Sequence, residues 1–326
     1  MTVPCHPDLH RLALAAAVDS PASFSLLGRQ ITTAPPQLLR LLESELYHRL
    51  YCGATEPEAP QTEDPAEALT FIAALARANA GTGTWEPGWT FLGQADGTAV
   101  TVARDGVTFW TERNRVRTAA GDLTPGAPCS VRIGKEMRHL LSGFYMALGD
   151  IHPEDGADAP PPLVRLYWHL TPDTAIRYMR EATSRLNAAR IPFETKVVSN
   201  PRLYSRTDSG VLYLRRDDFG RTTPLLQTIY QRVRAGLLPE APLFTKPLAP
   251  GLALAEDPGG GISFGQSRCR LAAQGLWQAY TQGFAEPDAR LNAVAEAFQA
   301  EGLDPERPYL EPGSADDYAL NLEAGE

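Results

Sequence analysis

An α+β fold is predicted for this chain: a mixed sheet flanked by helices, with a mainly helical N-terminal part. Three observations predict it. The run Pro36–Tyr51 places Leu38, Leu42, Leu46 and Leu50 on one helical stripe. From Thr98 the apolar period changes to two, as Val100 and Val102 alternate before the Asp105-Gly106 turn and Val107 starts the return strand. From Val164 onward the signals follow a β-α-β-β-α order. Two regions are expected, residues 1–95 mainly helical and residues 96–326 an α+β domain.

A Pro- and Glu-rich connector spans Glu56–Pro65, and a second helix is expected over Asp64–Ala80 with Pro65 at its first position. Pro128–Ile133 reads as a strand and leads to the apolar stretch Gly143–Gly149. A Pro-rich break over Gly156–Pro162 precedes the clearest unit. In Val164–Leu170, Arg165, Tyr167 and His169 share one strand face, and Leu166, Trp168 and Leu170 share the other. Thr171-Pro172-Asp173 starts a helix with a cap, a proline and an early acid, and Ile176, Met179, Thr183 and Leu186 form its inward face. Ile191–Val198 is the next strand, with Lys196 on the face opposite Phe193, Thr195 and Val197. A strand over Gly210–Leu214 and a helix over Pro224–Gly236 complete the unit.

With 326 residues the chain can bury a sizeable core, and its formal net charge of −9 disfavours a nucleic-acid partner. No stretch approaches twenty apolar residues and no basic-then-apolar leader opens the chain, so a cytoplasmic protein without a membrane partner is expected. Cys5, Cys52, Cys129 and Cys269 lack paired spacing, which disfavours a zinc site or a disulfide scaffold.

The chemistry is sought where an acidic chain becomes locally basic. After the Gly-rich loop Asp257–Gly261, Ser263–Arg270 reads as a loop feeding a helix, where free amides, the positive dipole end and Arg268 could bind phosphate. Arg165, His169, Lys196, Arg206 and Lys246 lie in strands and turns, where the fold fixes their direction. Each has a structural alternative. His169 could be a hydrogen-bonded core histidine, Arg206 with Asp208 an ion pair, Lys246 a surface lysine in a proline-fixed loop, and Ser263 a helix cap. No nucleotide-binding fingerprint accompanies these residues.

Several segments, in order over roughly residues 35–310, carry a resemblance. They are Leu46–Tyr51, Gly143–Asp150, Arg165–Pro172, Ile191–Lys196, Tyr204–Tyr213, Phe244–Gly251, Ala255–Pro258 and Ser263–Cys269. Together they resemble the HopA-type family of type III secretion effectors, which includes the lyase subunits of class V lanthipeptide and thioamitide biosynthesis. The resemblance implies a fold distantly similar to phosphothreonine lyases. It implies elimination of phosphate from phosphoserine or phosphothreonine in a precursor peptide, giving dehydroalanine or dehydrobutyrine, beside a kinase-like partner and with no metal or cofactor. On this resemblance Lys196 is the base, with Lys246 the other candidate, and His169 is the acid or an orienting group. Arg165, Arg206, Lys246, Ser263 and Arg268 hold phosphate. A lysine works as a base once its pKa is pulled down, and neighbouring arginines would do that while clamping the leaving group. The alternative is a non-catalytic effector or phosphopeptide-binding protein on the same scaffold. On either reading Lys196, His169, Arg206, Lys246 and Arg268 should converge in one cleft.

Overall fold

A computed structural model describes residues 3–53, 65–119, 121–137, 143–151 and 161–320. The connector expected over Glu56–Pro65 lies outside the described residues except for Pro65, and the break over Gly156–Pro162 lies outside them except for its last two prolines. Within the described residues the α+β class holds, with seven α-helices and strands in three sheets.

The sheet that carries the site has seven strands. They are β9 (Glu136–Met137), β10 (Phe144–Leu148), β11 (Leu163–Trp168), β12 (Phe193–Val198), β13 (Gly210–Arg215), β14 (Lys246–Ala249) and β15 (Leu252–Glu256). Their order is β14-β15-β11-β13-β12-β10-β9, and every pairing is antiparallel. The reason lies in the β-α-β-β order. Helix α4 (Pro172–Ala188) returns the chain so that β11 and β12 run the same way, and β13 then inserts between them, antiparallel to both.

Register divides the sheet into two faces. Leu166 pairs with Leu212, which pairs with Thr195, and this face meets α4. There Trp168 packs on Tyr178 at 5.1 Å between ring centroids, and the Tyr178 and Thr195 hydroxyls bond at 2.8 Å. On the other face Arg165 pairs with Tyr213 and then Glu194, while Tyr167 pairs with Val211, Lys196 and Met146 in the next row. Helix α6 (Phe264–Thr281) and the π-helical turn Leu46–Tyr51 lie over this second face, where Phe264 and Tyr51 touch the Tyr167 ring.

The N-terminal part combines helices with a meander. Helix α1 (Pro7–Ala15) is followed by β1 (Ala16–Ser20), β2 (Ser23–Leu26) and β3 (Arg29–Thr32) in one antiparallel sheet. The mainly helical character expected of residues 1–95 is therefore interrupted early, because the chain becomes extended at Ala16. Left-handed Leu27 and Gly28 supply the next hairpin turn, and Phe24 and Leu26 bury in the core. Helix α2 (Leu38–Glu45) runs into the π-turn, with Leu38, Leu42 and Leu46 buried as the stripe requires. Helix α3 (Pro65–Ala78) follows, and helix α5 (Phe219–Val233) begins one turn before the expected Pro224.

Residues 84–133 build a small five-stranded sheet from β4 (Thr84–Gln94), β5 (Ala99–Arg104), β6 (Val107–Glu112), β7 (Val116–Arg117) and β8 (Pro128–Ile133). Its core, with Trp89, Phe91, Val100, Val102 and Val131, is separate from the main one. The β5–β6 hairpin turns on left-handed Asp105 and Gly106, as the sequence indicates. The boundary expected at residue 95 falls at the end of β4, whose partners β5 and β8 lie beyond it. The C-terminal helix α7 (Pro287–Ala300) packs against α6 and α1. No helix among the described residues is long and apolar enough to cross a membrane.

Candidate functional site

Alternation along β11 and β12 puts Arg165 and Lys196 on the same face of the sheet, and two aromatic rings link them to Arg206. The Arg165 guanidinium carbon lies 5.4 Å from the Tyr213 ring centroid, and Lys196 Nζ lies 5.7 Å from that same ring. Lys196 Nζ is also 4.6 Å from the Phe144 centroid, which the Arg206 guanidinium approaches to 5.4 Å. Three cations thus alternate with two rings across β11, β13, β12 and β10.

The arginines are held from behind. Arg165 Nε donates to Asp257 at 2.6 Å, and its Nη2 donates to the Ile262 carbonyl at 3.2 Å. Burial works against its charge, but Tyr167, Tyr213 and Asp257 outweigh that and keep its pKa above the ordinary value. Arg206 binds Asp208 through two nitrogens, at 2.5 and 3.0 Å, and its Nη2 also reaches Cys52 Sγ at 3.4 Å. Burial opposes the Arg206 charge too, and Asp208 more than compensates.

Arg206 sits in a turn that its neighbours lock. The Asn200 side chain accepts from Arg202 N at 3.0 Å, and the Tyr204 hydroxyl donates to the Val198 carbonyl at 2.7 Å. Thr207 then ties the turn to the π-helix. Its amide donates to the Cys52 carbonyl at 2.9 Å, and its hydroxyl donates to the Tyr51 carbonyl at 2.9 Å. The turn Leu46–Tyr51 is thereby a wall of the site, and π-helical turns recur at functional sites. Tyr47 stacks on Tyr51 at 5.2 Å, and burial, with Asp208 nearby, raises its pKa.

Lys196 is placed differently from the arginines. Its ammonium makes no hydrogen bond or ion pair among the described residues and is only partly buried.

The remaining expected residues do not join the array. His169 follows the last residue of β11, one position beyond the strand, and is buried to 4% exposure. Its Nδ1 lies 3.2 Å from the Glu240 carbonyl, and Nε2 has no hydrogen-bond partner among the described residues. Burial lowers its pKa, with Glu240, the Ser205 carbonyl and Asp208 opposing, so the ring is neutral at pH 7.

Lys246 pairs in register with Leu254 and, through it, with Leu166 on the α4 face, opposite to Lys196. It begins an edge strand rather than a fixed loop, and Asp316 (2.6 Å) and the Tyr318 carbonyl (2.7 Å) take its ammonium. Arg268 does lie on the helix that covers the Lys196 face, yet it is 1% exposed and engaged by the Pro308 and Leu310 carbonyls, Ser267 and Glu311. Burial lowers its pKa, with Glu311 opposing.

Ser263 is a helix cap. Its hydroxyl accepts from Gln266 N at 3.2 Å, and the Gln266 side chain accepts from Ser263 N in return. Gly259, Gly260 and Gly261 all have positive φ, which explains the Gly-rich run. That loop lines an open surface cavity of about 600 Å³. Its charged lining is closed in ion pairs, Asp257 with Arg165, Glu256 with Arg216 and Glu311 with Arg268. The generic anion cradle at this helix start therefore resolves into a capping box beside a cavity lined by closed ion pairs.

Phe144, Tyr213 and Tyr47 belong to the site but were not expected there, and Asp208 enters as the ion-pair partner that the sequence offers Arg206. Tyr213 could have been found, because an antiparallel β11–β13 register places it opposite Arg165. Phe144 and Tyr47 come from distant segments whose placement no local pattern reveals. All four cysteines are free thiols, and burial raises the pKa of Cys52, Cys129 and Cys269. No cluster suited to a metal occurs among the described residues.

The chain is similar in structure to an effector protein from Pseudomonas syringae pv. tomato strain DC3000, with a TM-score of 0.48 and 20% identity over 85% of this chain and 95% of that one. An effector protein from Pseudomonas syringae pv. syringae strain 61 gives the same TM-score at 16% identity, over 94% and 96% of the two chains. Comparison with curated proteins finds no match. The model of the HopA1 effector protein family matches residues 136–310, which contain Phe144, Arg165, Lys196, Arg206 and Tyr213, and the chain belongs to that family.

Proposed function

We propose that the chain is a phosphoserine/phosphothreonine lyase that eliminates phosphate from a phosphorylated precursor peptide in the maturation of a peptide natural product. A kinase-like partner supplies the phosphopeptide, and the enzyme works in the bacterial cytoplasm without a metal. One observation carries the reading: the Arg165–Tyr213–Lys196–Phe144–Arg206 array, in which an unpaired amine lies between two arginines whose charges are fixed.

The reaction needs a base and a clamp. Lys196 Nζ takes the α-proton, and the electron pair of the broken C–H bond forms the Cα=Cβ bond. The Cβ–O bond breaks, and its electrons leave on the phosphate. Arg165 and Arg206 meet that charge with donors held by Asp257 and Asp208, so little reorganisation accompanies the step. The departing phosphate oxygen takes up a proton, from Lys196 or from solvent. His169, buried and neutral, serves as an orienting group beside the Arg206–Asp208 pair rather than as the acid. The phosphate then leaves as its dianion. Lys246, Ser263 and Arg268 have structural roles on this reading.

The test mixes the purified chain with a phosphoserine peptide and its cognate kinase and precursor, and follows the mass of the peptide. Loss of the elements of phosphoric acid is expected. Binding without any mass change would favour the phosphopeptide-binding alternative.

A further inference from the structure

We propose that the Tyr167 hydroxyl is the uncharged donor of this site, reserved for a phosphate oxygen arriving beside Arg165. The inference rests on the phosphate reading above.

Tyr167 is 3% exposed, and its hydroxyl, beside the Tyr51 hydroxyl and the Arg165 guanidinium, makes no hydrogen bond of full geometry among the described residues. Leaving such a group without a full bond is costly, and a ligand oxygen entering beside Arg165 would supply one. Its place in the sheet says what. Tyr167 lies in the same row as Lys196, with Val211 between them, and on the same face as Arg165 and Tyr213. The orphan hydroxyl therefore belongs to the face that carries the cation–ring array.

The ring cannot easily turn away to find another partner. Tyr51 meets it edge-on at 6.4 Å, and Phe264 packs against it at 6.3 Å. Behind them the start of α6 leaves no slack, since a Cβ on Gly265 would come within 2.5 Å of the Tyr51 ring. This close approach accounts for the glycine in the Ser263-Phe264-Gly265 segment. Burial also raises the Tyr167 pKa, although Arg165 and the Tyr51 hydroxyl oppose it, so the hydroxyl keeps its proton and can donate toward an anion.

The terminal oxygens of a phosphate monoester carry more acceptor lone pairs than Arg165 and Arg206 have free N–H groups. A fixed neutral hydroxyl adds a donor without adding a positive charge near Lys196. Other orphan atoms lack this setting. Trp168 Nε1, for example, belongs to the opposite face, against Tyr178.

The experiment compares wild type, Tyr167→Phe and Tyr178→Phe. The probe is inorganic phosphate, the product, which is not turned over. Its affinity is measured by calorimetry beside the melting temperature. Tyr167→Phe is expected to weaken phosphate binding by roughly 10-fold or more, as for a hydrogen bond to a charged group. Its melting temperature should stay unchanged or rise, because a ring of the same shape loses only an unpaired hydroxyl. Tyr178→Phe breaks the bond to Thr195 on the far face, so it should lower the melting temperature and leave phosphate affinity alone. Wild-type affinity in Tyr167→Phe overturns the inference, as does a loss of melting temperature equal to that of Tyr178→Phe. If wild type itself fails to bind phosphate, the phosphate reading falls first and takes this inference with it.

Discussion

Lys196 Nζ stands 4.6 Å from the centre of the Phe144 ring and has no carboxylate partner among the described residues. An amine left against a ring on a sheet face, while the nearby arginines are each tied to an aspartate, is the asymmetry expected of a base beside two clamps. Lys196→Ala should therefore reduce phosphopeptide turnover by about 10²–10⁴-fold, the span of general acid–base contributions. Its melting temperature should hardly change. Turnover by mass spectrometry and a thermal melt check both halves.

Lys246 gives the opposite expectation. Its ammonium holds the C-terminal segment through Asp316 and the Tyr318 carbonyl. Lys246→Ala should cost about 1–3 kcal/mol of stability and leave turnover per folded molecule unchanged. Urea unfolding together with turnover of the folded fraction separates the two lysines.

Much of this contrast could be read from the sequence, and part could not. Period-two alternation put Arg165 and Tyr167 on one face of β11 and put Lys196 opposite Phe193, Thr195 and Val197, all as found. The Asp105-Gly106 hairpin and the inward positions Met179, Thr183 and Leu186 were equally local. Lys246 was misplaced because Pro247 and Pro250 suggest a loop, whereas a proline on an edge strand costs no ladder bond. Arg268 was misread because helical position alone does not reveal that the distant segment Pro308–Glu311 supplies its acceptors. The β1–β3 meander was missed because its alanine-rich approach favours helix until the chain turns extended at Ala16.

Arg268→Ala tests the structural role of that arginine. It removes a buried charge and leaves two carbonyls and Glu311 short of a donor, so a loss of about 3 kcal/mol is expected by chemical denaturation. A stable variant that fails only in phosphate binding would return Arg268 to the phosphate clamp.

At the α6–α7 crossing, a Cβ on Gly275 would lie 2.4 Å from Val294 Cα and 2.9 Å from the Ala293 carbonyl. Alanine gains about 1 kcal/mol over glycine within a helix, but here the obstacle is backbone that cannot rotate aside. Gly275→Ala should thus be destabilising by about 1–3 kcal/mol net, read as a lower urea midpoint.

His169 links stability to pH. Burial holds its folded pKa below the ordinary value of 6.5, so the unfolded chain binds the proton more readily. The stabilisation is present above pH 6.5 and is lost as pH falls through that value toward the folded pKa. His6, also lowered by burial, acts in the same direction. The melting temperature should therefore drop between pH 7.5 and 5.5, and His169→Asn should flatten that slope in part.

The most direct measurement is the mass of a phosphoserine peptide after incubation with wild type and with Lys196→Ala, in the presence of the cognate kinase and precursor. Wild type should remove the elements of phosphoric acid, leaving dehydroalanine, while Lys196→Ala binds the peptide and leaves its mass unchanged. Equal elimination by both proteins would contradict Lys196 as the base. No elimination by wild type would contradict the lyase itself.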